Sequence, residues 1–141
     1  MLQYIKEDDK LKQTYDLLYS IPGVGPKLAV CLISELPDLQ YFDSVKQLVS
    51  FLGLNPSIKE SGSSVRGRLG ISHTGSRLIR KMLYMPAMNA MRFNPVIKEF
   101  AARLSERAKN GKVIVVACMR KLVHIIYGVL KNQTAFSHNL Q

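Results

Sequence analysis

The chain has 141 residues, is 47% apolar and carries a formal charge of +10 with a pI near 9.8. That apolar content supports a real core and excludes intrinsic disorder, and the length suits one domain with a short tail. The excess positive charge favours a polyanionic partner: DNA, RNA or an anionic membrane surface.

Leu11, Tyr15 and Leu18 recur at helical spacing, so a first helix is expected from about Asp9 to Ser20. It ends at Ile21-Pro22-Gly23-Val24-Gly25-Pro26, and Pro26 can open the next helix, where a missing N–H does no harm. The second helix, Lys27 to Leu36, is apolar almost all round and is expected to be buried. A third starts near Asp43 or Ser44, both good N-caps, carries Val45, Leu48, Val49 and Leu52, and stops at Gly53. Asn55 to Gly75 then breaks the pattern with serine, glycine and charge, and a short extended piece can lie around Val65 to Ile71. Helical spacing returns at Ser76, with Pro86 expected to kink that helix. Asn94-Pro95 opens a further helix, closed by Asn110-Gly111. A last helix spans Lys112 to Lys131, and Asn132 to Gln141 reads as a flexible tail. With no repeat and no strong strand pattern, the expected fold is all-α: residues 1–131 as one domain and 132–141 as the tail.

Cys31 and Cys118 sit in apolar helical contexts without CxxC spacing, which points to buried thiols in a reducing compartment rather than to a disulfide or zinc. The apolar run Val113 to Leu130 is broken by Arg120, Lys121 and His124, short of the roughly 18–20 uninterrupted apolar residues of a span. The N-terminus is polar and acidic, unlike a signal peptide, so a cytoplasmic location is expected.

The segment Ile21 to Ala29 has the hxGhGxxxA shape of a helix-hairpin-helix. Gly23 and Gly25 would clear side chains from the turn so that a phosphate can approach the backbone. The free N–H groups at the start of the next helix would then point at it, with Lys27 adding charge. Ile21 and Val24 would anchor the turn inward, and Ala29 would let the helices cross closely. An ordinary helix–helix turn punctuated by Pro and Gly is the other reading of these residues.

From Ser61 to Ile97 the chain has no acidic residue but holds Arg66, Arg68, Arg77, Arg80, Lys81 and Arg92. A solvated face normally mixes signs, so this run favours phosphate contact. Ser57, Ser61, Ser63, Ser64 and Ser72 lie in or beside the loop. Arginine surroundings can help a serine hydroxyl attack a phosphodiester, but spacing does not choose among the five, and Ser72 and Thr74 also suit helix capping. His73 could contact phosphate or carry a proton, whereas His124 reads as packed or interfacial. The ten acids are scattered, so no metal site is expected in this chain.

Read in order, LLYSIPGVGPKLA, YFDSVKQLVSFLGLNP, the Ser61-Gly62 step, GISHTGSRLIRKMLYMPAM and GKVIVVACMRKLVHIIYGVL resemble the C-terminal transposase domain of the IS110 family (the IS116/IS110/IS902 type) of bacterial insertion sequences, over about residues 11 to 131. The resemblance implies a recombinase in which such a helical domain follows a RuvC-like DEDD domain. It further implies a circular DNA intermediate, an element-encoded guide RNA and a homo-oligomeric assembly. It places the serine nucleophile, which links covalently to DNA, on Ser61. It places nucleic-acid contacts on Gly23, Gly25, Arg77, Arg80 and Lys81, and magnesium only at the DEDD domain. That acidic domain has no counterpart between Met1 and Gln141, so this chain alone is expected to bind nucleic acid without completing recombination. Two other readings stay open: a non-catalytic helix-hairpin-helix module that holds nucleic acid, and an oligomerisation domain that pairs through its last helix.

Overall fold

The chain is known here from a computed structural model, which describes residues 8–54, 73–107 and 110–138. Helix α1 (Asp9–Tyr19) starts where the Asp8 carboxylate accepts the N–H groups of Lys10 and Leu11 at 2.9 and 3.0 Å. Helix α2 (Pro26–Glu35) opens on a proline and stops ahead of Pro37, whose ring disfavours a helical residue before it. A single 3₁₀ turn over Leu39–Tyr41, capped by Asp38, was not anticipated by periodicity because it is too short to show one.

Helix α3 (Val45–Phe51) has Ser44 at its N-cap position without a side-chain bond. The turn is held instead by a reciprocal pair: Asp43 N–H donates to Gln47 Oε1 at 2.9 Å, and Gln47 Nε2 donates to Asp43 Oδ2 at 3.0 Å. Gly53 takes φ +73° at the other end. There Leu54 N–H bonds Val49 C=O and Gly53 N–H bonds Ser50 C=O, both at 3.0 Å, the paired closure of a Schellman motif.

Helix α4 (His73–Phe93) begins three residues before the expected Ser76 and continues through Pro86 to Phe93. The expectation that Thr74 caps this helix is therefore corrected, because it lies inside the first turn. Helix α5 (Pro95–Glu106) is capped by Asn94, and α6 (Gly111–Asn132) by Asn110. The fold is all-α, with no strand among the described residues.

Helix α6 is the axis of the core. It packs against α1, α3, α4 and α5, while α4 also packs against α2 and α5. Nine of its residues are buried, from Ile114 to Val129. Its length and composition would allow it to cross a bilayer, but here that surface meets Leu18, Leu48, Phe51, Ile79, Leu83 and Ile97, all fully buried. Each such side chain contributes about 1.5–3 kcal/mol. Cys31 and Cys118 are free and buried. Burial pushes the Cys118 thiol up to about 11, and burial followed by the nearby Glu35 charge raises that of Cys31.

Past α6 the chain turns at Gln133, in the left-handed region at φ +53°, and folds back. The Phe136 N–H donates to Ser20 Oγ at 2.9 Å, and the Ser20 hydroxyl in turn donates to Leu17 C=O. The Phe136 ring packs on the core edge.

Candidate nucleic-acid interface

The turn between α1 and α2 is seated on α4 by two devices. Ile21 and Val24 are buried and hold it from within, at 0% and 5% exposure. From outside, the fully buried Asn94 donates from Nδ2 to Pro22 C=O at 3.1 Å. The same amide oxygen accepts the N–H groups of Val96 and Ile97, so one side chain both starts α5 and fastens the turn. Ala29 has no exposure, as close packing of α2 requires.

The two glycines of the turn differ. Gly23 has φ +107°, where L side chains are rarely found, and a Cβ there would lie 2.7 Å from Ala90 Cβ and 3.0 Å from Pro86 C=O. Its bare side therefore faces α4, and glycine is required for folding rather than for ligand approach. Gly25 has φ −99° and ψ −176°, an extended conformation open to any residue, and nothing lies within 4 Å of a Cβ built on it. Neither conformation nor packing demands glycine at that position. What its missing side chain leaves clear is the N-terminus of α2, where Gly25 supplies no capping side chain and Pro26 no N–H.

Beside that N-terminus runs an open groove of about 660 Å³. Gly23, Gly25 and Lys27 line one side of it, and Lys81, Met85 and Asn89 of α4 the other. The structure thus brings Gly23, Gly25 and Lys27 of the turn together with Lys81, which lies far from them in sequence. Lys27, Arg77 and Lys81 are exposed, and Arg77 stands one turn before Lys81 on α4. Helix α4 contains no acidic residue, and Glu35 at the far end is the only one in α2.

Arg80 is placed elsewhere. Its Nη1 lies 3.5 Å from Leu52 C=O, over Gly53, where an added Cβ would collide with the guanidinium. Arg120 of α6 donates from Nη1 to Leu54 C=O at 3.1 Å. Both guanidinium groups therefore sit at the C-terminal end of α3, where unpaired carbonyls and the helix dipole favour cations. Arg120 was not among the expected site residues, since a cation in an apolar helix gives no sign of a partner 66 positions away. Arg92 lies on the exposed part of α4, its guanidinium 5.6 Å from the Phe93 ring centre.

Ser57, Ser61, Ser63, Ser64, Arg66, Arg68 and Ser72 lie outside the described residues, as does the expected extended piece at Val65 to Ile71. His73 is the first residue of α4, with its side chain outside the description. His124 is exposed on α6, and partial burial followed by the charges of Lys121 and Arg120 lowers its pKa. No group of three His, Cys, Asp or Glu side chains that could hold a metal occurs among the described residues.

A basic helical domain with a cation-lined groove at an open helix terminus is the class that this fold and surface define. Residues 15–102 match the Transposase IS116/IS110/IS902 family. The chain is 33% identical over 140 residues to a pilin gene-inverting protein of Moraxella bovis, covering 98% of this chain and 43% of that protein. It is 28% identical over 137 residues to the transposase for insertion sequence element IS1111A of Coxiella burnetii, covering 94% and 37%. A 43.6 kDa protein of insertion element IS110 from Streptomyces coelicolor is 25% identical over 124 residues, covering 88% and 30%. The chain therefore belongs to the IS116/IS110/IS902 transposase family. It spans less than half the length of these relatives.

Proposed function

We propose that this chain is the DNA-gripping, serine-bearing part of an IS110-type recombinase, with the α1–α2 turn acting as a helix-hairpin-helix. The observation that carries the reading is Gly25. An unneeded glycine leaves the N-terminus of α2 bare, beside a groove with Lys27 on one side and Lys81 on the other. Amides there would receive a phosphate, the helix dipole would favour its charge, and the two ammonium groups would replace condensed counterions. Such a grip follows the backbone and gives affinity without reading bases. Arg77 extends the cationic face, and Arg66 and Arg68 would add forked phosphate contacts from the segment that leaves α3 at Leu54.

Ser61 takes the nucleophile's part in this reading. Its Oγ would form a bond to phosphorus as it loses its proton, and a deoxyribose oxygen would leave, taking up a proton. The product is a phosphoserine ester whose reversal rejoins the strand. Arginines near the site would stabilise the charge that builds on the phosphoryl oxygens. DNA is the proposed partner. In this reading the acidic domain, a guide RNA and an oligomeric assembly complete the recombinase.

The test is Ser61→Ala in a protein that carries this chain together with the acidic domain. The covalent protein–DNA adduct, seen as a species resistant to denaturant, should vanish while DNA binding remains. Persistence of the adduct would move the role to Ser63 or Ser64. If the wild-type protein forms no adduct but binds duplex with a steep salt dependence, the non-catalytic binding module is correct.

A further inference from the structure

The groove is more apolar than a phosphate cradle needs. A backbone contact calls for amides and cations, yet much of the surface between Lys27 and Lys81 is Pro26, Met82, Met85 and Pro86. Met85 is 61% exposed, which leaves a soft, polarisable side chain free to pack against an apolar face in the groove. The groove's volume of about 660 Å³ falls in the range of pockets that take small organic groups, about 300–1,000 Å³. The Asn89 side chain, which brings one amide donor pair and one carbonyl acceptor, lines the same space.

We infer that this groove receives one unstacked DNA base, with Lys27 and Lys81 holding the phosphates on either side of it. This rests on the DNA-binding reading above and adds to it a preference for DNA with an unpaired nucleotide. Charge complementarity selects the occupant. The face is cationic and α4 has no acid, so a second copy of this chain would set like charges against each other. A base brings its own phosphates and an aromatic face, which match the ammonium groups and the methionine–proline wall. Asn89 would favour bases that offer it a donor next to an acceptor.

The experiment uses this chain and two DNA duplexes, one fully paired and one with a single extrahelical 2-aminopurine. Binding is followed by anisotropy of an end label, and base environment by 2-aminopurine emission. The unpaired probe should bind about tenfold tighter than the paired duplex, and its emission should change several-fold as the base leaves its neighbours. Met85→Gln, at an exposed position where folding is tolerant, should collapse the affinity ratio toward one and abolish the emission change. Asn89→Ala should alter the ranking among the four natural bases placed at the unpaired position.

Salt-dependent binding of both duplexes with equal affinity and no emission change would overturn the base pocket and leave the backbone grip standing. Absence of salt-dependent binding to either duplex would overturn both. An undiminished ratio in Met85→Gln would remove the groove from the account. Tighter binding and a larger emission change with an RNA version of the unpaired probe would show that the occupant is not DNA.

Discussion

Replacing Gly23 and Gly25 one at a time by alanine separates folding from binding. At Gly23 a non-glycine residue must adopt φ +107°, a region that costs about 1–3 kcal/mol. Its Cβ must also fit 2.7 Å from Ala90 Cβ and 3.0 Å from Pro86 C=O, both on a packed helix. Overpacking of that kind costs about 1–3 kcal/mol. Alanine recovers about 0.4–1 kcal/mol by restricting the unfolded chain. The net expectation for Gly23→Ala is a loss of roughly 1–6 kcal/mol. At roughly 3 °C per kcal/mol, Tm should fall by about 3–18 °C. Gly25→Ala meets no atom within 4 Å and keeps an allowed backbone, so its stability should hold within about 1 kcal/mol of the parent while DNA affinity falls. Urea unfolding followed by circular dichroism gives the first quantity and anisotropy with a labelled duplex the second. Ala90→Gly provides an internal control, because it removes the 2.7 Å partner but leaves the Pro86 carbonyl. Combined with Gly23→Ala it should be less destabilising than the sum of the two single changes. A Gly23→Ala protein within about 0.5 kcal/mol of the parent would refute the packing argument, since ordinary surface changes fall in that range.

Asn94→Ala removes an N-cap worth about 1 kcal/mol and the bond to the part-buried Pro22 carbonyl worth about another 1 kcal/mol, so chemical denaturation should show a loss of roughly 2 kcal/mol. Lys27→Ala and Lys81→Ala should each weaken duplex binding and lower the slope of log affinity against log salt by about 0.9 in a salt titration. Because His124 has a folded pKa below its unfolded value, the unfolded chain takes up a proton that the folded chain resists. Stability should therefore fall as pH drops through about 6.5, and His124→Gln should flatten that limb of a denaturation–pH profile. Cys118 should resist thiol reagents at pH 8 until denaturant is added, because burial keeps it protonated and out of reach.

Much of the helical layout could be read from residue spacing, because the signals are local. Ile79 and Leu83, or Met119, Val123 and Ile126, repeat at a helix period and are buried, and Asp8, Asn94 and Asn110 cap the helices they precede. The errors arose where tertiary contacts decide. Helix α4 starts at His73 because nothing in HTGS forbids a helical turn, although Ser and Gly also suit a loop. Gly23 and Gly25 look alike in the motif, and only their surroundings show that one packs on α4 while the other faces open space.

The arginines teach the same lesson about function. An acid-free run of cations marks a candidate polyanion-binding surface as a whole, but it does not divide labour within the run. Arg77 and Lys81 are exposed and available, whereas Arg80, between them in sequence, is turned onto the end of α3 with Arg120 beside that end. The helical repeat accounts for the split. Positions four apart, 77 and 81, share a face, while position 80 lies on the other side of Arg77 from Lys81 and toward the core. A cation that holds the end of α3, immediately before the segment bearing Ser61, would support the proposed site through the fold. Its replacement should lower stability before it changes the salt dependence of binding, the reverse of the order expected at Lys81.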